Sequence, residues 1–183
     1  YYLESPWFKN GKETELPEDF YSSEFFVDQM IEFIEEDKDT DSPFFAYLSF
    51  QAQHIPLQAP QEFIDKYLTT YEEGWDTLRE KRKNKAVEKG IFPPDKKIVD
   101  SMSTLDSWSA VDQESKKMII KSMAVFAGML DAMDFHIGRF ITYLKKEGLY
   151  ENTIFIVTAD NGPEGNDPSD HAPWREWFKT TIY

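Results

Sequence analysis

The chain has 183 residues, 40% of them hydrophobic and 30% charged, which is enough for one domain with a real core and excludes a disordered or fibrous protein. Twenty basic side chains against 34 acidic ones leave a net charge of −14, so no basic face is offered to nucleic acid or to an anionic membrane. No apolar run approaches the roughly 20 residues of a membrane span. Without cysteine, these residues hold no disulfide, no thiolate metal site and no thiol nucleophile.

In chain order, residues 1–21 read as irregular, with Pro6, Gly11 and Pro17 as breakers. A helix follows, capped by Ser22 or Ser23, with Phe26, Met30 and Phe33 beside Val27, Ile31 and Ile34 as its buried face. It ends in the charged turn Glu35 to Asp39. The run Phe44 to Phe50 has almost no polar alternation, the pattern of a strand buried on both faces of a helix-covered parallel sheet. A loop with His54 and Pro56 comes next.

Residues 60–90 read as helical and charged, and the cluster Lys81, Arg82, Lys83 and Lys85 reads as a solvated helix face among acidic neighbours. Residues 91–112 read as irregular, and 70–112 as an insertion or lobe. From Gln113 to Lys146, the positions Ile119, Met123, Phe126, Leu130, Met133, Ile137, Phe140 and Leu144 step by fours and threes, which predicts one long helix with one apolar stripe. Gly128 and Gly138 suggest that it packs on a sheet, and Gly148 stops it. Thr153 to Ala159 reads as a second central strand, ended by Asp160-Asn161-Gly162. Helix, strand, helix, strand predicts an α/β domain, a layered sheet with helices on both faces.

Ligands of open α/β sheets bind beyond the carboxyl ends of the strands. One predicted strand delivers His54 there, the other Asp160 and Asn161. Asp160 and Asn161 offer adjacent oxygen ligands of the kind a hard cation such as calcium takes, and Gly162 permits the sharp turn that aims both at one point. The same tripeptide is equally an ordinary turn. His54 has the chemistry to donate a hydrogen bond to an anionic oxygen or to act as an acid, and a lone histidine is equally a structural one. His136, on the long helix, reads as structural. His171 is ambiguous, and Asp131 with Asp134 reads as a cap or ion-pair partner rather than an acid/base pair.

Taken together, Phe44 to Phe50 followed by Gln51-Ala52-Gln53-His54-Ile55-Pro56, the helix through Gly138-Arg139, and the strand closed by Asp160-Asn161-Gly162 resemble the type I sulfatases of the alkaline phosphatase superfamily, bacterial arylsulfatases above all. The likeness covers nearly the whole chain and is weakest at 70–112. It implies an alkaline phosphatase-like fold, here incomplete, with 1–183 part of a single catalytic domain. It implies that Asp160 and Asn161 are calcium ligands and that His54 hydrogen-bonds the sulfate group or the leaving oxygen.

The family's nucleophile, a formylglycine made within a Cys/Ser-x-Pro-x-Arg motif, has no counterpart in these residues. With the mid-protein character of Tyr1-Tyr2-Leu3-Glu4 and the abrupt close at Tyr183, this predicts a fragment of a longer sulfuric ester hydrolase, inactive alone. The expected partner is a small-molecule or glycan sulfate ester. The expected location, by family analogy, is periplasmic or secreted. Two other readings stay open: a phosphomonoesterase or phosphodiesterase on the same scaffold, and a non-catalytic binding domain whose Asp-Asn-Gly is only a turn.

Overall fold

The computed structural model describes residues 6–38, 42–54, 57–97 and 106–162. Its first element is a hairpin within the stretch expected to be irregular. Strands β1 (Trp7–Lys9) and β2 (Lys12–Thr14) pair antiparallel, with Trp7 opposite Thr14 and Lys9 opposite Lys12. The two connecting residues, Asn10 (φ 51°) and Gly11 (φ 74°), both lie in the left-handed region. An Asn-Gly pair is the preferred sequence for such a turn, because its twist matches that of the flanking strands. The signal was therefore present in the sequence, in two residues that also read as a breaker.

Helix α1 (Ser22–Glu36) has the expected extent, but neither serine caps it: the N-cap is Tyr21, without a side-chain hydrogen bond, and Ser23 is buried inside the first turn. Val27 and Ile34 form its buried stripe, flanked by Met30 and Ile31. Lys9 of the hairpin reaches Glu32 of α1 at 2.7 Å, and the Trp7 ring meets Phe20 edge-on at 5.3 Å.

Helix α2 (Gln61–Asp65) is short, and α3 (Gly74–Glu88) follows after a run of turns. Helix α4 (Gln113–Lys146) has the predicted length. The Asp112 carboxylate accepts from the backbone N–H groups of Glu114 (3.0 Å) and Ser115 (2.9 Å), satisfying orphan donors of its first turn. At the other end the N–H of Gly148 (φ 73°) donates to Lys145 O and that of Leu149 to Leu144 O. This is a Schellman motif, with the Leu144–Leu149 contact that accompanies it.

The chain divides into two compact units, one of residues 1–57 and 130–183, the other of residues 58–129. In the first, Val27 and Ile34 of α1 pack with Phe140 and Leu144 of α4, and Leu48, Phe50, Tyr143 and Leu149 surround them. The Tyr143 phenol is pushed up to about 12, by burial first and by its hydrogen bond to the Glu35 carboxylate second. Glu35 is held below the usual carboxylate range, by Lys38 first and Tyr143 next.

A raised folded-state pKa gives stability that is whole below the unfolded value of about 10 and is lost as pH climbs through 12. Tyr143→Phe should therefore flatten the fall of the urea midpoint between those two values. It should also remove a phenolate ultraviolet transition near pH 12. An unchanged alkaline titration would show that the Tyr143 phenol is not the group held protonated over this range.

In the second unit Phe63 and Ile64 of α2 are buried, as are Ala124, Val125 and Met129 of α4. Gly128 is where the two helices touch: a Cβ there would lie 3.1 Å from the Ile64 backbone nitrogen. Gly128 thus meets a helix rather than the expected sheet, and among the described residues nothing lies within 4 Å of a Cβ built on Gly138. The single stripe on α4 is corrected too. Phe140 and Leu144 are buried as expected, but Leu130 is 46% exposed, and Ala124, Val125, Gly128, Met129, Ala132 and His136 are the buried positions between Met123 and Phe140. A strict four-three repeat drifts by about 20° per heptad around a straight helix, so one stripe cannot stay on one face over this length.

The two expected central strands form no ladder among the described residues, whose only sheet is the two-stranded hairpin. Leu48 and Phe50 turn one side of the first run onto the core, while Phe45 and Tyr47 are exposed. In the second run Ile154, Ile156 and Val157 are each at least 85% exposed. These apolar, β-branched residues have no ladder partner among the described residues.

Candidate functional site

The three residues singled out for chemistry, His54, Asp160 and Asn161, all belong to the first unit. His54 sits one turn past Phe50, where its backbone N–H donates to Gln51 O at 2.8 Å, and its ring is exposed. Asp160 and Asn161 follow the apolar run 153–159 and are exposed as well.

Their local geometry combines both readings of the tripeptide. Asp160 Oδ1 accepts from the backbone N–H of the next residue, Asn161, at 2.9 Å, and Asn161 Nδ2 donates to Gly162 O at 2.6 Å, so the tripeptide is held by its own side chains. The second bond uses the amide nitrogen of Asn161 and leaves its Oδ1 as the acceptor. One carboxylate and one amide oxygen, on adjacent residues, are both hard donors, the donor type that a cation such as calcium takes. Among the described residues no group of three or more Asp, Glu, His or Cys side chains converges to hold a metal ion. Calcium takes about six to eight oxygens, more than these two residues supply.

His171 lies outside the described residues. His136 is buried at 4% exposure on α4. The Arg139 guanidinium donates to its Nδ1 at 2.9 Å and to Asp28 of α1 at 2.6 Å, with Glu24 at 3.6 Å. Guanidinium has no acceptor, so Nδ1 accepts and the ring proton sits on Nε2. The histidine is a structural one, locked by an arginine that ties α4 to α1. Sequence reasoning missed this network because Asp28 and Arg139 are 111 positions apart.

The second unit contains a cavity of about 560 Å³ between α3, the turn at Trp108 and the first half of α4. Gly74 (φ 78°) opens α3 there, and a Cβ on it would fall inside the Trp108 indole. Trp75 donates from Nε1 to Asp106 O at 3.2 Å, and the Trp108 backbone N–H donates to the Asp76 carboxylate at 2.8 Å. The basic cluster expected to be a solvated face is divided by this cavity. Lys81 pairs with Glu73, and Lys85 pairs with Glu88 at 3.2 Å, whereas Arg82 and Lys83 line the cavity together with Arg79.

Against known proteins, the Sulfatase family model matches residues 2–180. An uncharacterized sulfatase of Schizosaccharomyces pombe is 40% identical over 149 residues, 80% of this chain and 26% of that protein. An arylsulfatase of Klebsiella aerogenes is 35% identical over 154 residues, 84% of this chain and 33% of that protein. A multifunctional alkaline phosphatase superfamily protein of Trinickia caryophylli is 24% identical over 161 residues, 85% of this chain and 30% of that protein. The chain belongs to the sulfatase family, an alkaline phosphatase-like class of protein. It spans about a quarter to a third of the length of these relatives.

Proposed function

We propose that the protein of which these residues form a part hydrolyses sulfuric esters, aryl sulfates first among them. The observation that carries this reading is the paired oxygen donors of Asp160 and Asn161 at the end of an apolar run, in a chain that matches the sulfatase model from residue 2 to residue 180. The relative from Klebsiella aerogenes, named an arylsulfatase, points to the same substrate class.

In this reading Asp160 and Asn161 hold a calcium ion, which when bound supplies the positive charge that offsets the ester's developing negative charge. The bond from the Asn161 backbone N–H fixes the Asp160 carboxylate, and the Asn161–Gly162 bond orients the amide oxygen. His54, exposed at the end of its loop, donates a proton or hydrogen bond to the departing ester oxygen. The nucleophile, a formylglycine, comes from residues outside this sequence, so the 183 residues alone are inactive. The runs 44–50 and 153–159 become central strands of a layered α/β sheet in the intact domain, which covers the apolar side chains now exposed. The location that follows from the family is periplasmic or extracellular.

The experiment is sulfate release from p-nitrophenyl sulfate by the intact protein matured with a formylglycine-generating enzyme, with a peptide mass map of the region upstream of Tyr1. Calcium-dependent turnover together with a formylglycine peptide is the expected outcome. Turnover of p-nitrophenyl phosphate instead, with no such peptide, would move the assignment to phosphoester hydrolysis, the second reading suggested by the multifunctional relative.

A further inference from the structure

Among the described residues the buried polar ones are Ser23 and His136, and of these only His136 titrates near neutral pH. The proposed mechanism does not use it. Its Nδ1 accepts from Arg139 Nη1 at 2.9 Å, while Nη2 of the same guanidinium donates to Asp28 of α1 at 2.6 Å, with Glu24 at 3.6 Å. His136 and Arg139 are three residues apart on one face of α4, and Glu24 and Asp28 are four apart on one side of α1. One guanidinium is thus shared between the imidazole of its own helix and the carboxylates of the other.

This arrangement suits the neutral imidazole. A proton on Nδ1 would turn the acceptor into a second donor facing an N–H, and would set two cations at hydrogen-bond distance. Burial adds to the penalty, because a charged imidazole loses its hydration there. The Tyr21 phenol, whose ring centroid lies 6.3 Å from that of His136, responds to the same surroundings: burial raises it above its ordinary value. The Asp28 and Glu24 carboxylates favour a charged imidazole, but they are half-exposed, hence screened, and Arg139 already engages them. Asp131 and Asp134, on α4 itself, stand roughly 140–160° around the helix from His136. Desolvation and the opposed donor therefore win, and the folded protein resists a proton that the unfolded chain takes up at about pH 6.5.

We propose that His136 and Arg139 form an acid-sensitive latch between α4 and α1, closed while the imidazole is neutral and opened when Nδ1 takes up a proton and drives Arg139 from it. Every residue of the latch belongs to the first unit, and it does not rest on the sulfuric ester reading. Above about pH 6.5 neither the folded nor the unfolded state binds the proton, and stability is whole. Below that value the unfolded chain binds it and the folded protein does not, so stability falls with pH.

The test is urea unfolding of the intact protein between about pH 7.5 and pH 5, beside His136→Asn. Asparagine carries an acceptor oxygen close to the position of Nδ1 and has no proton to take up. The unfolding constant of the unsubstituted protein should rise, relative to that of the variant, about tenfold per pH unit below 6.5, roughly thirtyfold by pH 5.

Nitrogen-15 magnetic resonance of protein labelled at histidine supplies a second readout, the His136 signals being those absent from His136→Asn. Near neutral pH they should show a bare Nδ1 and a protonated Nε2. The ring should still be neutral at about pH 6, where an ordinary histidine is mostly charged. Arg139→Met removes the opposed donor, so in that variant His136 should titrate at a higher pH. Equal acid sensitivity of the unsubstituted protein and His136→Asn would overturn the latch. A proton on Nδ1 near neutral pH, or a ring half-charged at about pH 6.5 or above, would do the same. So would an unchanged His136 titration in Arg139→Met, which would leave burial alone as the cause.

Discussion

Asp160→Ala in the intact, matured protein should lower aryl sulfate turnover by more than about a hundredfold, beyond the 10- to 100-fold typical of losing an outer-shell partner of a metal. The carboxylate is the only negatively charged donor that 160–162 offers, and its Oδ1 also holds the turn that places Asn161. Its removal therefore takes away charge and geometry together. Calcium affinity, read by calorimetry, should fall with activity.

Asp160→Asn separates the two contributions: it keeps a side-chain oxygen to accept from the Asn161 backbone N–H and removes only the charge. His54→Ala should behave differently, lowering turnover by about 10²- to 10⁴-fold, the usual share of a general acid, with calcium affinity intact. Full calcium affinity in Asp160→Ala would return Asp-Asn-Gly to an ordinary turn and remove the metal from the proposed mechanism.

Leu144→Ala should cost about 2–5 kcal/mol, the range for deleting a leucine side chain from a closed core. Leu144 has no exposed surface, packs with Val27, Ile34 and Phe140, and is the residue against which Leu149 closes the end of α4. The substitution opens a cavity and loosens the Schellman motif at once. Since whole domains are stable by only about 5–15 kcal/mol, the loss would be plain in a urea titration.

Leu130→Ala, on the same helix but 46% exposed, should cost under about 0.5 kcal/mol. Equal costs for the two would refute the burial pattern of α4. Ile156→Ala reports on the layered sheet: in the intact protein it should cost as much as a core deletion, although Ile156 is 85% exposed among the described residues.

Local signals carried much of the reading. The extent of α1, the length of α4 and the stop at Gly148 follow from periodicity and from the conformations glycine permits, which act within a few residues. The Asp160-Asn161-Gly162 turn is local in the same sense, and the structure forms it from hydrogen bonds within the tripeptide itself. The hairpin is signalled by Asn10-Gly11 alone, because strands of three residues are too short to show an alternation.

Membership of the sulfatase family, and hence the candidate chemistry of His54, Asp160 and Asn161, was legible in the order and spacing of short motifs along the chain. What only the tertiary structure decided is where separate segments meet. It chose which side of α4 is buried along its length, through Gly128 against α2 and through Leu144 against α1. It joined Arg139 to Asp28 across 111 positions, and it divided one basic cluster into paired lysines and cavity-lining cations. The physical reason is common to all three: charge type and hydrophobicity belong to a residue, but burial and pairing belong to its neighbours, and those neighbours are distant in sequence.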